Sequence, residues 1–350
     1  MMIQEAFGSK IKELRCAAML SQLELAKRSG VERAQISKIE KGSINVTLET
    51  VDKLCRALNL PVNSVMNLIY RELKKELHPF VKWAGGKAQI IDKIKEFMPD
   101  AYNTYYEPFV GGGAVLFELA PSKAVINDFN VELICVYISL QHEGMFRKML
   151  AELDKHEKNH NEDYYYAIRE MDKDEKFEKL PIYARAARMI YLNKSCFNGL
   201  YRVNSKGYFN VPSGKKEKVK TYDLKNMENL NEYFMSNNIT ILDGDFEEAV
   251  KDAKAGDFVY FDPPYDTLDD KNSFTSYAKN DFGQDEQRRL AKVYKELSDK
   301  GVKVMLSNHN TKLINELYKD FNIHVISARR SINSKGDARG PVEEVIITNY

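Results

Sequence analysis

The chain has 350 residues, enough for two or three domains, and its 43% hydrophobic and 29% charged residues suit a globular protein with ample core. A formal net charge of +1 argues against a uniformly basic polyanion binder, although the average hides local asymmetry. The longest apolar stretch, around Val131 to Leu140, is too short to span a bilayer, so no membrane association is expected. The start, Met1-Met2-Ile3-Gln4-Glu5, lacks the basic and apolar regions of a signal peptide, and the cytoplasm is the expected compartment. Four cysteines (Cys16, Cys55, Cys135, Cys196) lie far apart with no CxxC pair, which indicates neither a disulfide framework nor a metal site.

The first seventy residues read as a small all-α domain. Ile11, Leu14 and Met19 open a helical pattern, Ser21 is placed to cap a helix over Gln22 to Arg28, and Gly30 breaks it. Helical periodicity resumes from Val31 to Glu40 through Ile36 and Ile39, and Leu48, Val51, Leu54, Leu58 and Leu60 supply further helices. Ala26, Gly30, Ile36 and Ile39 have the spacing of a helix-turn-helix: a small residue for close approach, a glycine for the turn, branched apolar residues for packing. The stretch Ser21-Gln22 to Glu40-Lys41-Gly42 resembles the lambda-repressor/Cro-like DNA-binding domains, over roughly residues 6 to 66. The resemblance implies that the second helix enters the major groove of operator DNA, presenting Glu32, Arg33, Gln35, Ser37 and Lys38, with Gln22 near the backbone. The bland alternative is a helical interaction bundle. Residues Asn67 to Leu77 read as a charged helical connector, giving a domain over 1–70 and a linker over 71–78.

The next segment alternates strand and helix. Phe80 to Lys87 places Gly85-Gly86 between Trp83 and Lys87, a loop able to lie against a ligand, with the lysine available to a carboxylate or phosphate. Tyr105 to Val110 reads as a strand, Gly111-Gly112-Gly113 as a turn, and Val115 to Leu119 as a helix, the order of a nucleotide-type loop. A second strand, Ala124 to Asn127, ends at Asp128, a little short of the ~20 residues expected for a carboxylate that holds a ribose. No GK[ST] follows the glycines, so a nucleoside cofactor fits better than a phosphate-binding P-loop.

Late in the chain the alternation returns, with strands at Ile239–Asp243, Phe258–Phe261 and Val302–Leu306, helices at Glu286–Leu297 and Leu313–Tyr318, and a final strand pair joined through Gly336 and Gly340. The class expected is an open, doubly wound, mostly parallel α/β sheet. Its central strand, Phe258–Phe261, runs into Asp262-Pro263-Pro264-Tyr265. Consecutive prolines cannot continue a sheet, so a carboxylate, rigid carbonyls and an aromatic face leave it together at the carboxyl edge, where open sheets bind ligands. Such a group suits a planar amine-bearing ring; a plain strand-ending turn is the alternative.

KWAGGK, EPFVGGGA, INDFN, GDF and DPPY, in that order, resemble the Dam-like DNA adenine-N6 methyltransferases over roughly residues 79 to 350. The resemblance implies S-adenosylmethionine as cofactor, contacted by Trp83, Lys87, Asp128 and Asp262. It further implies a cofactor loop over Glu107 to Gly113 that includes Phe109, Gly111 and Gly113, and Asp245 and Phe246 beside the adenosine. Asp262, Pro263, Pro264 and Tyr265 are the implied catalytic residues, acting on an adenine turned out of duplex DNA. Similar tetrapeptides occur in RNA and protein methyltransferases, and a repressor that senses S-adenosylmethionine is a third reading.

Residues 145–235 interrupt the alternation, separating a cofactor-binding half (79–144) from a catalytic half (236–350). The insert begins as charged helix, where Tyr164-Tyr165-Tyr166 reads as packing rather than base stacking. It then turns to hairpin-like sequence from Tyr191 onward, with Lys194, Arg202, Lys206, Lys215, Lys216, Lys218, Lys220 and Lys225 opposed only by Glu217 and Asp223. FNGLYRVN resembles the recognition hairpin of the same enzymes, which implies that Phe197, Asn198, Leu200 and Arg202 approach the duplex, that Arg202 reads guanine, and that the target is GATC. A modification role beside a restriction endonuclease, with the N-terminal domain controlling the enzyme's own gene, would join the two halves of the chain.

Overall fold

The computed structural model describes residues 3–73, 76–267, 282–329 and 341–350, which fall into two compact units divided between residues 76 and 77.

The first unit is five helices: α1 (Ile3–Ala17), α2 (Gln22–Ser29), α3 (Arg33–Glu40), α4 (Leu48–Ala57) and α5 (Val62–Leu73). Ser21 caps α2 as its sequence predicts. Its hydroxyl accepts from the Glu24 N–H, and the Glu24 carboxylate accepts from the Ser21 N–H at 2.6 Å. Gly30 ends the helix at φ +69°, the left-handed conformation expected of it. Ile11, Leu25, Ile36, Ile39 and Leu54 are buried in one core with Val65 and Ile69. Beside that core a bidentate ion pair joins α1 to the end of α3, with Arg15 Nε 2.6 Å from Glu40 Oε1 and Nη2 3.0 Å from Oε2. Losing one partner of such a buried pair costs about 3–5 kcal/mol. Met19 departs from expectation. Helix α1 stops at Ala17, and Met19 sits at φ +54° in the turn, 91% exposed.

The second unit is built on a seven-stranded sheet in the order β3-β2-β1-β4-β5-β7-β6. After α6 (Ile91–Phe97) the chain runs β1 (Tyr105–Glu107), α7 (Ala114–Leu119), β2 (Lys123–Asp128) and α8 (Val131–Gln141). Helices α9 (Glu143–Asn159), α10 (Glu162–Arg169), α11 (Ile182–Ser195) and α12 (Leu224–Ser236) follow. The chain closes with β3 (Asn238–Asp243), α13 (Phe246–Val250), β4 (Phe258–Phe261), α14 (Gln284–Asp299), β5 (Lys303–His309), α15 (Lys312–Leu317), β6 (Asn322–Arg329) and β7 (Pro341–Thr348). The first five strands are parallel, and β7 pairs antiparallel with both β5 and β6. Gly336 and Gly340, the expected joint of the last pair, lie outside the described residues.

Strand alternation divides the core into two faces. Tyr105, Phe258, Tyr260, Met305 and Ile346 point into one cluster with α8, α11 and α12. Tyr106, Val259, Phe261, Val304, Leu306, Val345 and Ile347 point into the other, with α14 and α15. All four residues of β4 are buried, as a strand covered on both faces requires. The strand expected over Tyr105 to Val110 is shorter than its sequence suggests. Pro108 has no N–H to give the ladder, and beyond Glu107 the chain is held beside β2 by Val110 N–H to Asn127 O at 2.9 Å and Asn127 Nδ2 to Pro108 O at 2.9 Å.

Winding proceeds outward from β1 to β2 and β3, then returns to β4 on the other side of β1. The topological switch therefore falls between β1 and β4, and the crevice outside their carboxyl ends is where such sheets take ligands. Glu107 ends β1 there and Asp262 follows β4.

Candidate active site

Lysine and carboxylate meet at the switch point. Lys87 Nζ lies 2.7 Å from Asp262 Oδ1, donates to the Gly85 carbonyl at 2.6 Å, and stands 4.6 Å from the centre of the Tyr265 ring. Ser307, on β5, donates to the same Asp262 oxygen at 2.9 Å and shares a hydrogen bond with Tyr260. Thus the partner of Lys87 is a carboxylate of the chain itself. The lysine is buried behind it, while the Asp262 side chain keeps 17% of its surface open. Burial raises the Asp262 pKa, and Lys87 opposes the rise. Glu107, close by and hydrogen-bonded by the Tyr105 hydroxyl at 2.8 Å, is pushed well up by its own burial.

The two prolines fix the turn beyond Asp262. The Pro264 carbonyl is taken by Gln287 Nε2 at 2.8 Å, and among the described residues nothing donates to that of Pro263. Tyr265 donates its hydroxyl to Glu344 on β7 at 3.2 Å, with His309 edge-on at 4.9 Å. The Asp262 carboxylate and the held Tyr265 ring thus bracket a turn in which, among the described residues, the Pro263 carbonyl has no donor.

The glycine turn lies on the neighbouring rim. Gly111 donates its N–H to Asp128 Oδ2 at 2.9 Å, and the Tyr137 hydroxyl donates to the Gly111 carbonyl at 2.7 Å. The other Asp128 oxygen accepts from Asn130 N–H, and burial raises the Asp128 pKa. The glycines are needed first by the protein: a Cβ on Gly111 would lie 2.7 Å from the Trp83 indole, and one on Gly113 would lie 2.6 Å from Phe117. Both also have positive φ. So Trp83 packs on the glycine turn, and its other neighbour is Tyr201 of the hairpin, 5.3 Å between ring centres. Asp245 caps α13, and Phe246 lies 5.3 Å from Phe109.

Several of these supports are invisible as motifs. Arg289 grips Asp245 bidentately at 2.9 and 2.6 Å and covers the Phe246 ring at 4.1 Å, lowering the Asp245 pKa. Asn193, buried, donates to the carbonyls of Lys82 and Gly199 and accepts from Lys82 N–H, tying the tryptophan loop to the hairpin. Phe129, next to Asp128, is 62% exposed; its place in INDFN was the only signal.

In the hairpin, Phe197 (52%) and Leu200 (36%) are exposed and Asn198 sits at φ +55°, so the three project at its start. Two isolated bridges, Cys196 with Ser213 and Val203 with Phe209, join its arms. Arg202 is exposed, and its Nε donates to Asn210 Oδ1 at 2.7 Å. Tyr165 is core, its hydroxyl on the Val211 carbonyl, while Tyr164 meets His156. In the first unit Arg33 and Lys38 are exposed on α3, Gln35 and Ser37 are half-buried, and Gln22 donates to Glu40 at 2.8 Å.

Residues 83–332 match the model of the D12 class N6 adenine-specific DNA methyltransferases. The chain belongs to that family. Residues 11–64 match a helix-turn-helix family, so this methyltransferase carries a DNA-binding fold ahead of its catalytic unit. It is 48% identical over 285 residues to the Type II methyltransferase M1.LlaDCHI of Lactococcus lactis subsp. cremoris, covering 81% of this chain and 99% of that one. Type II methyltransferase M.MjaIII of Methanocaldococcus jannaschii is 42% identical over 294 residues, covering 79% and 100%. The DNA adenine methylase of Escherichia coli K12 is 33% identical over 278 residues, covering 78% and 95%. Among the described residues no helix of the methyltransferase is long and apolar enough to cross a membrane.

Proposed function

We propose that this adenine-specific DNA methyltransferase draws its methyl group from S-adenosylmethionine and modifies GATC in duplex DNA as the protective partner of a restriction endonuclease. The observation that carries the chemistry is the Asp262 carboxylate at the end of the central strand, fixed by Lys87 and Ser307 beside the Tyr265 ring.

The site's charge suits that cofactor. Around the two turns stand three carboxyls: buried Glu107 is pushed toward its neutral form and Asp262 is paired with Lys87, which leaves Asp128 as the carboxylate to meet a cationic guest. Trp83, Lys87, Glu107, Phe109, Gly111, Gly113, Asp128, Asp245, Phe246 and Asp262 would hold S-adenosylmethionine, which supplies an electrophilic methyl group when bound. Adenine N6 is a poor nucleophile because its lone pair is delocalised into the ring. Asp262 and the Pro263 carbonyl would each accept one N6 hydrogen, turning the lone pair out of conjugation, while Tyr265 stacks on the flipped ring. Catalysis is then positioning plus stabilisation of the charge that develops on nitrogen. Phe197, Asn198, Leu200 and Arg202 would choose the site, with Arg202 on guanine.

Transfer of labelled methyl to duplex DNA tests the chemistry: Asp262→Ala should abolish it, and undiminished turnover would sink the reading. An RNA substrate in parallel should stay unlabelled. The relatives named Type II methyltransferases support the modification role. For the N-terminal domain we infer operator binding near its own gene, through Arg33, Gln35, Ser37 and Lys38 with Gln22 at the backbone; footprinting upstream DNA should show one protected site, and purely non-specific binding would count against it.

A further inference from the structure

Helix α14 carries an apolar stripe, Leu290, Val293, Tyr294 and Leu297, all buried. Gln287 occupies the next inward position toward the N-terminus, three residues before Leu290, and is fully buried. An amide there is costly unless every polar atom is satisfied, and an apolar side chain would fill the same space without that demand.

Both ends of the amide are used, and both lead to the catalytic turn. Gln287 Nε2 donates to the Pro264 carbonyl at 2.8 Å, and Gln287 Oε1 accepts from Asn308 Nδ2 at 3.1 Å. Asn308, also fully buried, accepts the Asp266 N–H on Oδ1 at 2.9 Å. The bonded groups, the carbonyl of residue 264 and the N–H of residue 266, belong to the two peptides that flank Tyr265. Asp266 is held again by Thr311, whose hydroxyl donates to Oδ2 at 2.6 Å.

We propose that Gln287 and Asn308 are positioning residues for methyl transfer: the buried amide pair fixes both peptides around Tyr265, and so sets the attitude of the ring on which the target base stacks. The proposal rests on the reading of Asp262 to Tyr265 as the catalytic turn. It also explains why only one proline carbonyl is left for substrate, since that of Pro264 is engaged from inside.

The test uses the full chain. Gln287→Met keeps the volume and removes both bonds. A misplacement of about 1 Å costs roughly a hundredfold in rate, so kcat should fall about ten- to a hundredfold. The KM for S-adenosylmethionine should stay within about twofold, because the loss is confined to the turn. Tyr265→Ala and the double variant complete a cycle. If Gln287 acts through Tyr265, the double variant is no slower than Tyr265→Ala. Additive losses, or an unchanged kcat in Gln287→Met beside an impaired Tyr265→Ala, overturn the proposal alone. Full turnover by Tyr265→Ala overturns the catalytic-turn reading instead, and this proposal with it. Should Gln287→Met fail to fold, Gln287→Leu, which also removes both bonds, is read by the same outcomes.

Discussion

In the mechanism proposed above, Asp262 accepts an amine hydrogen as a carboxylate, yet burial raises its pKa and Lys87 opposes the rise. A carboxyl whose pKa rises on folding stabilises the fold below its unfolded value, and that contribution is gone once the pH has risen past the folded value. The ionised form that the proposed mechanism uses is therefore the less stable one. It follows that kcat has an acidic limb above the ordinary aspartate value of 3.8, with Glu107 facing the same pair. In Lys87→Met, measured at saturating cofactor, the limb should move to higher pH; a limb that stays in place would assign it to another group. DPPY and KWAGGK could be read from sequence because rare residue types in fixed order carry them. Their mutual contact could not, since a spacing of 175 positions says nothing of a 2.7 Å ion pair. Gln287 and Arg289 were silent for a different reason: on a helix they look like ordinary solvated residues.

Helices α9 and α11 and the hairpin act as one support. His156, in α9, is buried against Tyr191 of α11 with ring centres 4.8 Å apart, and it shares a hydrogen bond with Tyr164. Burial pushes its pKa down to about 4. Because the folded value is depressed, its contribution is complete above the unfolded value of 6.5 and disappears as the pH falls through 4. Comparing denaturant unfolding at pH 7 and pH 4, His156→Phe should lose about 2–3 kcal/mol less than the parent chain. Equal losses would mean the imidazole is not buried neutral. Arg202 stands on the hairpin this support carries, and Asn210 orients its guanidinium. Arg202→Ala should relax discrimination at one guanine by about 1–3 kcal/mol, read as methylation of singly substituted sites against the parent site. Uniform loss on all sites would make Arg202 a backbone contact. The hairpin was legible from Asn-Gly, aromatic alternation and lysines. Its anchoring was not, because Asn193 and Tyr165 are held to it by contacts that no periodicity records.

At the scale of the whole molecule, the sequence alternation and the Ser21–Gly30 punctuation foretold a parallel sheet and a separate helical unit, and both are present. Strand ends were less legible, because Pro108 stops β1 at Glu107 while the apolar Phe109 and Val110 beyond it still read as strand. The catalytic unit, residues 77–350, holds the sheet, both turns and the hairpin, so it should place methyl groups at the same sites as the full chain. The most direct measurement is a base-resolved map of N6-methyladenine in DNA from cells expressing the full chain, residues 77–350, or the full chain with Asp262→Ala. The account predicts N6-methyladenine in GATC from the first two and none from the third. Methylation of another base, or a map from Asp262→Ala that matches the parent, would contradict it.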